Sequence, residues 1–261
     1  MIPLKSRSEL ETMAKNGGIL STVLDGVKRL AKPGVTTFQL DKFAEDSIRR
    51  AGAVPAFKGY RGYKGTLCTS INSEVVHGIP SHKRALAEGD ILSLDIGLKK
   101  EGLFSDMAVT IPIGTVSDEI LEFLKVSEES LVEAIAKARP GNRLGDVSYA
   151  VQRHAEEHGF SVVRDYVGHG VGYALHEEPV VPNFGKFGTG PRLESGMVLA
   201  IEPMVNMGGY EVRTLDDGWT VVTVDGSLSA HFEHSVAITD DGPRVLTRLP
   251  GKEIKGDDAS A

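Results

Sequence analysis

The sequence predicts an α+β fold: a curved, mainly antiparallel sheet with helices on its outer face, built as two similar halves at roughly 1–112 and 113–250. Two observations carry this expectation. A helical segment repeats itself at a fixed offset, and a strand-like run downstream repeats at the same offset. Residues 24–52 read LDGVKRLAKPGVTTFQLDKFAEDSIRRAG and residues 131–159 read LVEAIAKARPGNRLGDVSYAVQRHAEEHG. Pro33-Gly34 and Pro140-Gly141 lie 107 residues apart, as do Gly52 and Gly159, and Leu40 matches Val147. Each copy reads as a helix, a Pro-Gly stop and a second helix ending at glycine.

The elements follow in order. The first helix is expected to start near Ser6 or Ser8, where Ser8 with Glu11 fits a capping box. Its counterpart is expected to start near Ser117. Residues 88–95 (EGDILSLD) and 195–202 (SGMVLAIE) keep the 107-residue offset. Each is a turn glycine, then a buried apolar strand, then a carboxylate. Thr66–Val76, Leu103–Ile111, Trp219–Val224 and Phe232–Thr239 also read as strands. Residues 1–250 form a single expected domain, and the small, polar tail 251–261 is expected to be disordered. Two facing halves would enclose a cleft, a common place for a site.

Composition narrows the function. A net charge of −7 argues against a protein that binds DNA through its phosphates. The lone cysteine, Cys68, excludes an intrachain disulfide. The first residues lack a signal-peptide core, and no run approaches the roughly 18 apolar residues of a membrane span. No membrane association is expected, and the expected location is the cytoplasm.

Four acids sit in or beside apolar strands: Asp95 in LDIG, Asp106 in SDMAV, Glu202 in AIEP and Glu233 in FEHSV. One such carboxylate is usually a strand end facing solvent. Four together need shared compensation, because a buried charge without a partner is costly. A hairpin would return Asp106 beside Asp95. Glycines or turn residues frame three histidines: His77 in VHGIP, His169 in GHGVG and His176 in LHEEP. The set points to a hydrolytic metal site. Four carboxylates and one imidazole can hold two divalent cations about 3.5–4 Å apart, which share a water and lower its pKa towards ~7. Oxygen-rich ligation suits Mn²⁺, Fe²⁺ or Co²⁺, and Zn²⁺ would also bind. Two decoys are set aside. His154-Ala155-Glu156-Glu157-His158 lacks the Glu that must follow the first His of a zinc-protease helix. Gly168–Gly172 lacks the spacing of a dinucleotide fingerprint.

These motifs resemble the type I methionine aminopeptidases, peptidase family M24, of the pita-bread metallohydrolase fold. The resemblance runs over about residues 4–248 and rests on INSEVVHGIP (71–80), LSLDIG (92–97), SDMAVT (105–110), GHGVG (168–172), HEEPVV (176–181), IEPMVN (201–206) and DGWTVVTVDGSLSAHFEHSVAIT (217–239). It implies removal of the initiator methionine from nascent proteins whose second residue is small. It implies Asp95, Asp106, His169, Glu202 and Glu233 as metal ligands, with Asp106 and Glu233 bridging. His77 and His176 would polarise the scissile amide and stabilise the gem-diolate, and Glu202 would shuttle protons. Phe57, Tyr60, Tyr63, Cys68, Leu175 and Trp219 would form the methionine pocket. Phe57 and Leu175 depart from familiar bacterial members, where a smaller residue and a Phe are frequent. His231, on the face of Glu233 by strand alternation, is expected to be structural. Asn72, Glu74 and Ser229 resemble positions that hold a monovalent cation in some relatives. The family also implies a monomer that meets the ribosome transiently. Competing readings are a related hydrolase of Xaa-Pro bonds, which usually carries an extra N-terminal domain, and a non-catalytic binding protein, which typically loses metal ligands.

Overall fold

A computed structural model describes residues 2–251. The expectation of a disordered tail therefore falls, beyond Gly251, outside the described residues. The first part of the chain holds α1 (Arg7–Leu30), α2 (Thr37–Arg50), β1 (Val54–Pro55), β2 (Leu67–Ile71), β3 (Glu74–Val76), β4 (Ile91–Lys100) and β5 (Leu103–Pro112). The second holds α3 (Asp118–Lys137), α4 (Leu144–Glu157), β6 (Ser161–Val162), β7 (Gly168–Gly170), β8 (Glu177–Val181), β9 (Val198–Ile201), β10 (Met204–Asn206), β11 (Val212–Thr214), β12 (Val221–Thr223), β13 (Ser229–His231), β14 (Glu233–Thr239) and β15 (Gly242–Val245).

The helices form where propensity, caps and periodicity agree. On α1 the buried Leu10, Met13, Gly17, Leu20, Leu24 and Val27 recur at helical spacing and make one apolar stripe. Its cap is Ser6 with Glu9, not Ser8 with Glu11: the Ser6 hydroxyl accepts the Glu9 N–H, and the Glu9 carboxylate accepts the Ser6 N–H at 2.7 Å. Both pairs have the right spacing, but the chain is still extended at Ser6 and already helical at Ser8. Thr36 with Gln39 caps α2, and Ser117 caps α3 as anticipated. The stretch Thr66–Val76 is two strands rather than one, because Asn72 turns the chain at φ 57°.

The main sheet is antiparallel at every pairing, in the order β1-β4-β5-β14-β9-β7-β8, with β2 also on β4 and β15 also on β14. Alternation along β4 decides its two faces. Leu92, Leu94, Ile96 and Leu98 pack against α1 and α2, which leaves Ser93 and Asp95 on the opposite face. Leu199 and Ile201 of β9 likewise pack with α3 and α4. The middle of the sheet is the β5–β14 pair, where Glu233 lies opposite Ala108. One strand from each part of the chain thus meets at the midline. Small sheets of β13-β10-β6 and β11-β12-β3 flank the main one.

Candidate functional site

Register assembles the site. The β4–β5 hairpin closes through Glu101 and Gly102, both at positive φ (52° and 82°), the conformation of a tight two-residue hairpin turn. This pairs Gly97 with Asp106 and Asp95 with Ala108, so the two acids sit on one face, one pair apart. A slip of one residue would send Asp106 to the helix side. Asp106 is held further by Ser235, whose hydroxyl accepts its N–H at 3.1 Å and donates to its carbonyl at 2.8 Å. Glu233 follows from the facing strand β14, Glu202 from the end of β9, and His169 from β7, whose Cα partner is Ala200.

One cleft of about 250 Å³ is lined by all five of these residues and by His77 and His176. Ligand atoms of Asp106, His169 and Glu233 lie within 4.8 Å of one another. Glu202 stands between two imidazoles: Oε1 is 3.4 Å from Nε2 of His169, and Oε2 is 3.4 Å from Nε2 of His231. His231 is fully buried and faces the cleft. It belongs to β13, in a different sheet from β14. Simple alternation with Glu233 is therefore not what brings it here, and it packs in the core beside the Glu202 carboxylate.

The electrostatics are those of acids lacking a counter-charge. Burial, and then the neighbouring carboxylates Asp95 and Glu202, drive the Asp106 carboxyl well above its ordinary range. Burial does the same to Glu202, and burial and then Asp106 do so to Glu233. Asp95 is pushed up to about 7, chiefly by burial. Among the described residues, Asp95 Oδ1, Asp106 Oδ1, Glu233 Oε1 and His231 Nε2 are buried without a hydrogen-bond partner. Such atoms are costly alone and are what divalent cations satisfy. The donor set fits: hard carboxylate oxygens plus one imidazole. His169 is prepared as a ligand, because its Nδ1–H donates to the carbonyl of Gly170 at 2.9 Å, leaving Nε2 with a free lone pair. Burial lowers its pKa to about 3, so it is neutral at pH 7.

His77 and His176 flank this cluster. Burial and then His231 lower His77 to about 4; burial and then Arg61 lower His176 to about 4. His176 stands at the mouth with its outer edge in solvent, stacked on Tyr60 (ring centroids 5.2 Å apart) and hydrogen-bonded to that hydroxyl through Nδ1 at 3.0 Å. His77 has φ 61°, a conformation costing a non-glycine residue about 1–3 kcal/mol. The turn is held by Gly78, whose carbonyl accepts from Thr69 N–H at 2.7 Å and from the Tyr63 hydroxyl at 3.0 Å.

The six residues expected to form an apolar pocket come together beside the cluster. Phe57, Tyr63, Cys68 and Leu175 are buried in one group, with Tyr60 and Trp219 packed against it. Tyr63 and Trp219 meet edge to face, their centroids 5.0 Å apart. Cys68 lies opposite Asp95 in the β2–β4 register, and burial raises its thiol, which keeps it a small apolar wall. Sequence reasoning missed Ala56, Ile79 and Phe104 in this group, and Tyr166 across the cleft, 5.7 Å from the His77 ring. For Tyr166 the available signal was an aromatic residue three positions before His169.

Other predicted positions lie elsewhere. The Asn72 side chain bonds Ile91 N–H and Asp90, and the Glu74 carboxylate takes Ile71 N–H and Arg84 at 2.7 Å. The rejected zinc-like helix is the end of α4 and does not line the cleft. Its His154 is not simply solvated, since Nε2 lies 3.5 Å from Glu129 of α3.

Comparison with known proteins places this geometry. Residues 11–240 match metallopeptidase family M24. A methionine aminopeptidase of Clostridium acetobutylicum is 52% identical over 247 residues, covering 95% of this chain and 99% of that one. The crystal structure of a methionine aminopeptidase from Thermotoga maritima superposes with a TM-score of 0.93 at 47% identity, covering 95% of this chain and all of that one (100%). A Xaa-Pro dipeptidase from Bacillus anthracis shares the fold alone, with a TM-score of 0.75 at 21% identity over 96% of this chain and 63% of its own.

Proposed function

The chain belongs to metallopeptidase family M24, with the pita-bread fold, and within that family to the methionine aminopeptidases; we propose that it removes the initiator methionine through a pair of divalent cations held by Asp95, Asp106, His169, Glu202 and Glu233. One observation carries the proposal: four carboxyls, three of them with a buried oxygen that has no hydrogen-bond partner, and a tautomer-fixed imidazole converge beside an aromatic-walled pocket. Asp106 and Glu233, on the two midline strands, would hold both cations, which their closeness to each other supports. Asp95 and Glu202 flank them. The set suits Mn²⁺, Fe²⁺ or Co²⁺, and Zn²⁺ would bind too. A monovalent cation near Asn72 and Ser229 enters the reading only through backbone carbonyls.

When bound, the cations supply Lewis acidity and make hydroxide available near neutral pH. The chain's own residues do the rest. The methionine side chain fills the slot of Phe57, Tyr60, Tyr63, Cys68, Leu175 and Trp219, which brings the first peptide bond between His77 and His176. Both imidazoles are neutral at pH 7, so each offers an N–H to the amide group. For His176, the tautomer that accepts from the Tyr60 hydroxyl at Nδ1 carries its proton on Nε2. Glu202 accepts the water proton on Oε2, the oxygen facing His231, and returns it to the leaving amine.

The substrates are the N-termini of nascent chains whose second residue is small. The enzyme acts as a cytoplasmic monomer that meets the ribosome transiently and binds neither membrane nor specific DNA. No helix among the described residues is long and apolar enough to cross a membrane. The reading treats residues 1–250 as one catalytic domain of two halves. The test is hydrolysis of Met-Ala-Ser and Met-Leu-Ser by chelated protein before and after Mn²⁺ or Co²⁺. Metal-dependent release of methionine from the first peptide only is expected. No release with any metal from folded protein would overturn the proposal, and cleavage of Xaa-Pro peptides instead would favour the dipeptidase reading.

A further inference from the structure

The turn from Tyr173 to His176 bears Leu175, a wall of the apolar pocket, and His176, yet it lies outside regular structure until Glu177 enters β8. The N-terminal arm holds it. The Lys5 side chain is fully buried, and its Nζ pairs with Oε1 of Glu177. The other oxygen, Oε2, accepts the N–H groups of Tyr173 at 3.1 Å and Ala174 at 3.2 Å. Glu177 thus ties both ends of the turn, with Lys5 as its counter-charge. The arm is seated tightly. Lys5 N–H donates to the Gly196 carbonyl at 2.7 Å, and a Cβ at Gly196 would fall 2.9 Å from the Lys5 carbonyl oxygen. A Cβ at Gly172 would collide with Cε of the Lys5 stem. A second tie runs from the Tyr173 hydroxyl to Glu9 at 2.9 Å, the residue that closes the cap on Ser6.

We propose that Lys5 is a positioning residue: acting through Glu177, it fixes the turn that presents His176 and Leu175 to the substrate. This rests on the aminopeptidase reading above. The metal ligands lie on or at the ends of sheet strands, which hold them by register; the one nearest this pair is His169, whose neighbour Gly170 lies opposite Glu177 between β7 and β8. A buried ion pair is a poor stability device, since an apolar replacement of both partners is often neutral. What the pair supplies is geometry, and a displacement of about 1 Å at a reacting group can cost on the order of 100-fold in rate.

The experiment compares Lys5→Met, Glu177→Gln and the double variant with wild type, and uses Glu11→Gln, which breaks only the surface pair with Arg244, as a control. Metal-saturated kcat and KM on Met-Ala-Ser, Mn²⁺ affinity, and amide hydrogen exchange over 172–178 are measured well below Tm. Lys5→Met is expected to lower kcat/KM by roughly 10- to 100-fold, with KM raised through Leu175 as well as kcat lowered through His176. Mn²⁺ affinity should stay within about twofold, and the Tyr173 and Ala174 amides should exchange at least about tenfold faster. The double variant should be no worse than Lys5→Met, because both act on one path. If Lys5→Met fails to fold, the double variant, which leaves no charge buried alone, carries the test. A kcat/KM within about twofold of wild type, unchanged exchange at 173–174, or a fall in kcat at constant KM with an equal loss of metal affinity would each overturn the proposal. A wild type that releases no methionine with any metal would sink the aminopeptidase reading; the exchange of 173–174 then decides alone whether Lys5 holds the turn.

Discussion

Loading the metal-free protein with Mn²⁺ should release protons held by the carboxyl cluster. Three carboxyls, Asp106, Glu202 and Glu233, are driven well above their ordinary range by burial and by one another, and Asp95 reaches about 7. The metal-free cluster therefore retains protons that a metal must displace, because carboxylate ligands bind deprotonated. The overall binding constant should then rise with pH by about tenfold per pH unit for each proton released, since each is worth about 1.36 kcal/mol per pH unit. Isothermal titration calorimetry in buffers of different ionisation enthalpy counts the protons directly. Stability gives an independent reading of the same groups. A carboxyl whose folded-state pKa is raised contributes stability that is complete below its unfolded value near 4 and lost as pH rises through its folded value. The lowered histidines do the opposite: their contribution is complete above about 6.5 and lost as pH falls towards 4 and 3. The raised carboxyls should therefore lower metal-free stability as pH rises from about 4 through 7, against the opposite contribution of the histidines, and added metal should abolish the carboxyl contribution. Release of less than about one proton at pH 7, or affinity indifferent to pH between 6 and 8, would refute the reasoning.

Leu175→Ala opens the apolar slot and should lower kcat/KM on methionine peptides by roughly 10- to 200-fold while leaving Mn²⁺ affinity unchanged, as steady-state kinetics and calorimetry would report. Asp41→Ala strips the acceptor of the Thr66 and Leu67 N–H groups (2.6 and 2.9 Å) and should cost about 2–5 kcal/mol in urea unfolding, since each orphaned donor costs about 1–3 kcal/mol. Ser6→Ala should lose about 1 kcal/mol of stability and Ser8→Ala almost nothing, which separates the two possible caps of α1 in a thermal melt.

Much of the fold could be read from the chain because its duplication is local: two helix pairs and two acid-ended strands at one offset need no knowledge of tertiary contacts. The cap of α1 was misplaced because two frames, Ser6/Glu9 and Ser8/Glu11, both have capping spacing. Tertiary docking of the buried Lys5 fixes where the extended arm ends. The turn at Asn72 was hidden inside a strand-like run, although asparagine is a residue that tolerates positive φ. The short strands β6, β7 and β11 are set by their partners rather than by any pattern in so few residues. In the cleft, the acids and glycine-framed histidines were visible because their residue types are costly where an apolar strand places them. Tyr166 was not visible as a cleft residue and His231 was read as structural, because an aromatic ring or a buried imidazole is equally at home in an ordinary core.

The midline position of the β5–β14 pair has a consequence in time. The Ser235 hydroxyl that braces Asp106 reaches across 129 residues of sequence. Contacts of such span form slowly, because the intervening loop must first be closed. Neither part of the chain offers more than two of the four acids, so a chain emerging amino-end first lacks Glu202 and Glu233 until it is nearly complete. Under the proposed ligand set, capture of metal would be a finishing step: a half-made molecule has no full nest to load with the wrong ion, and the arrival of metal would mark a chain whose two parts have already closed on each other.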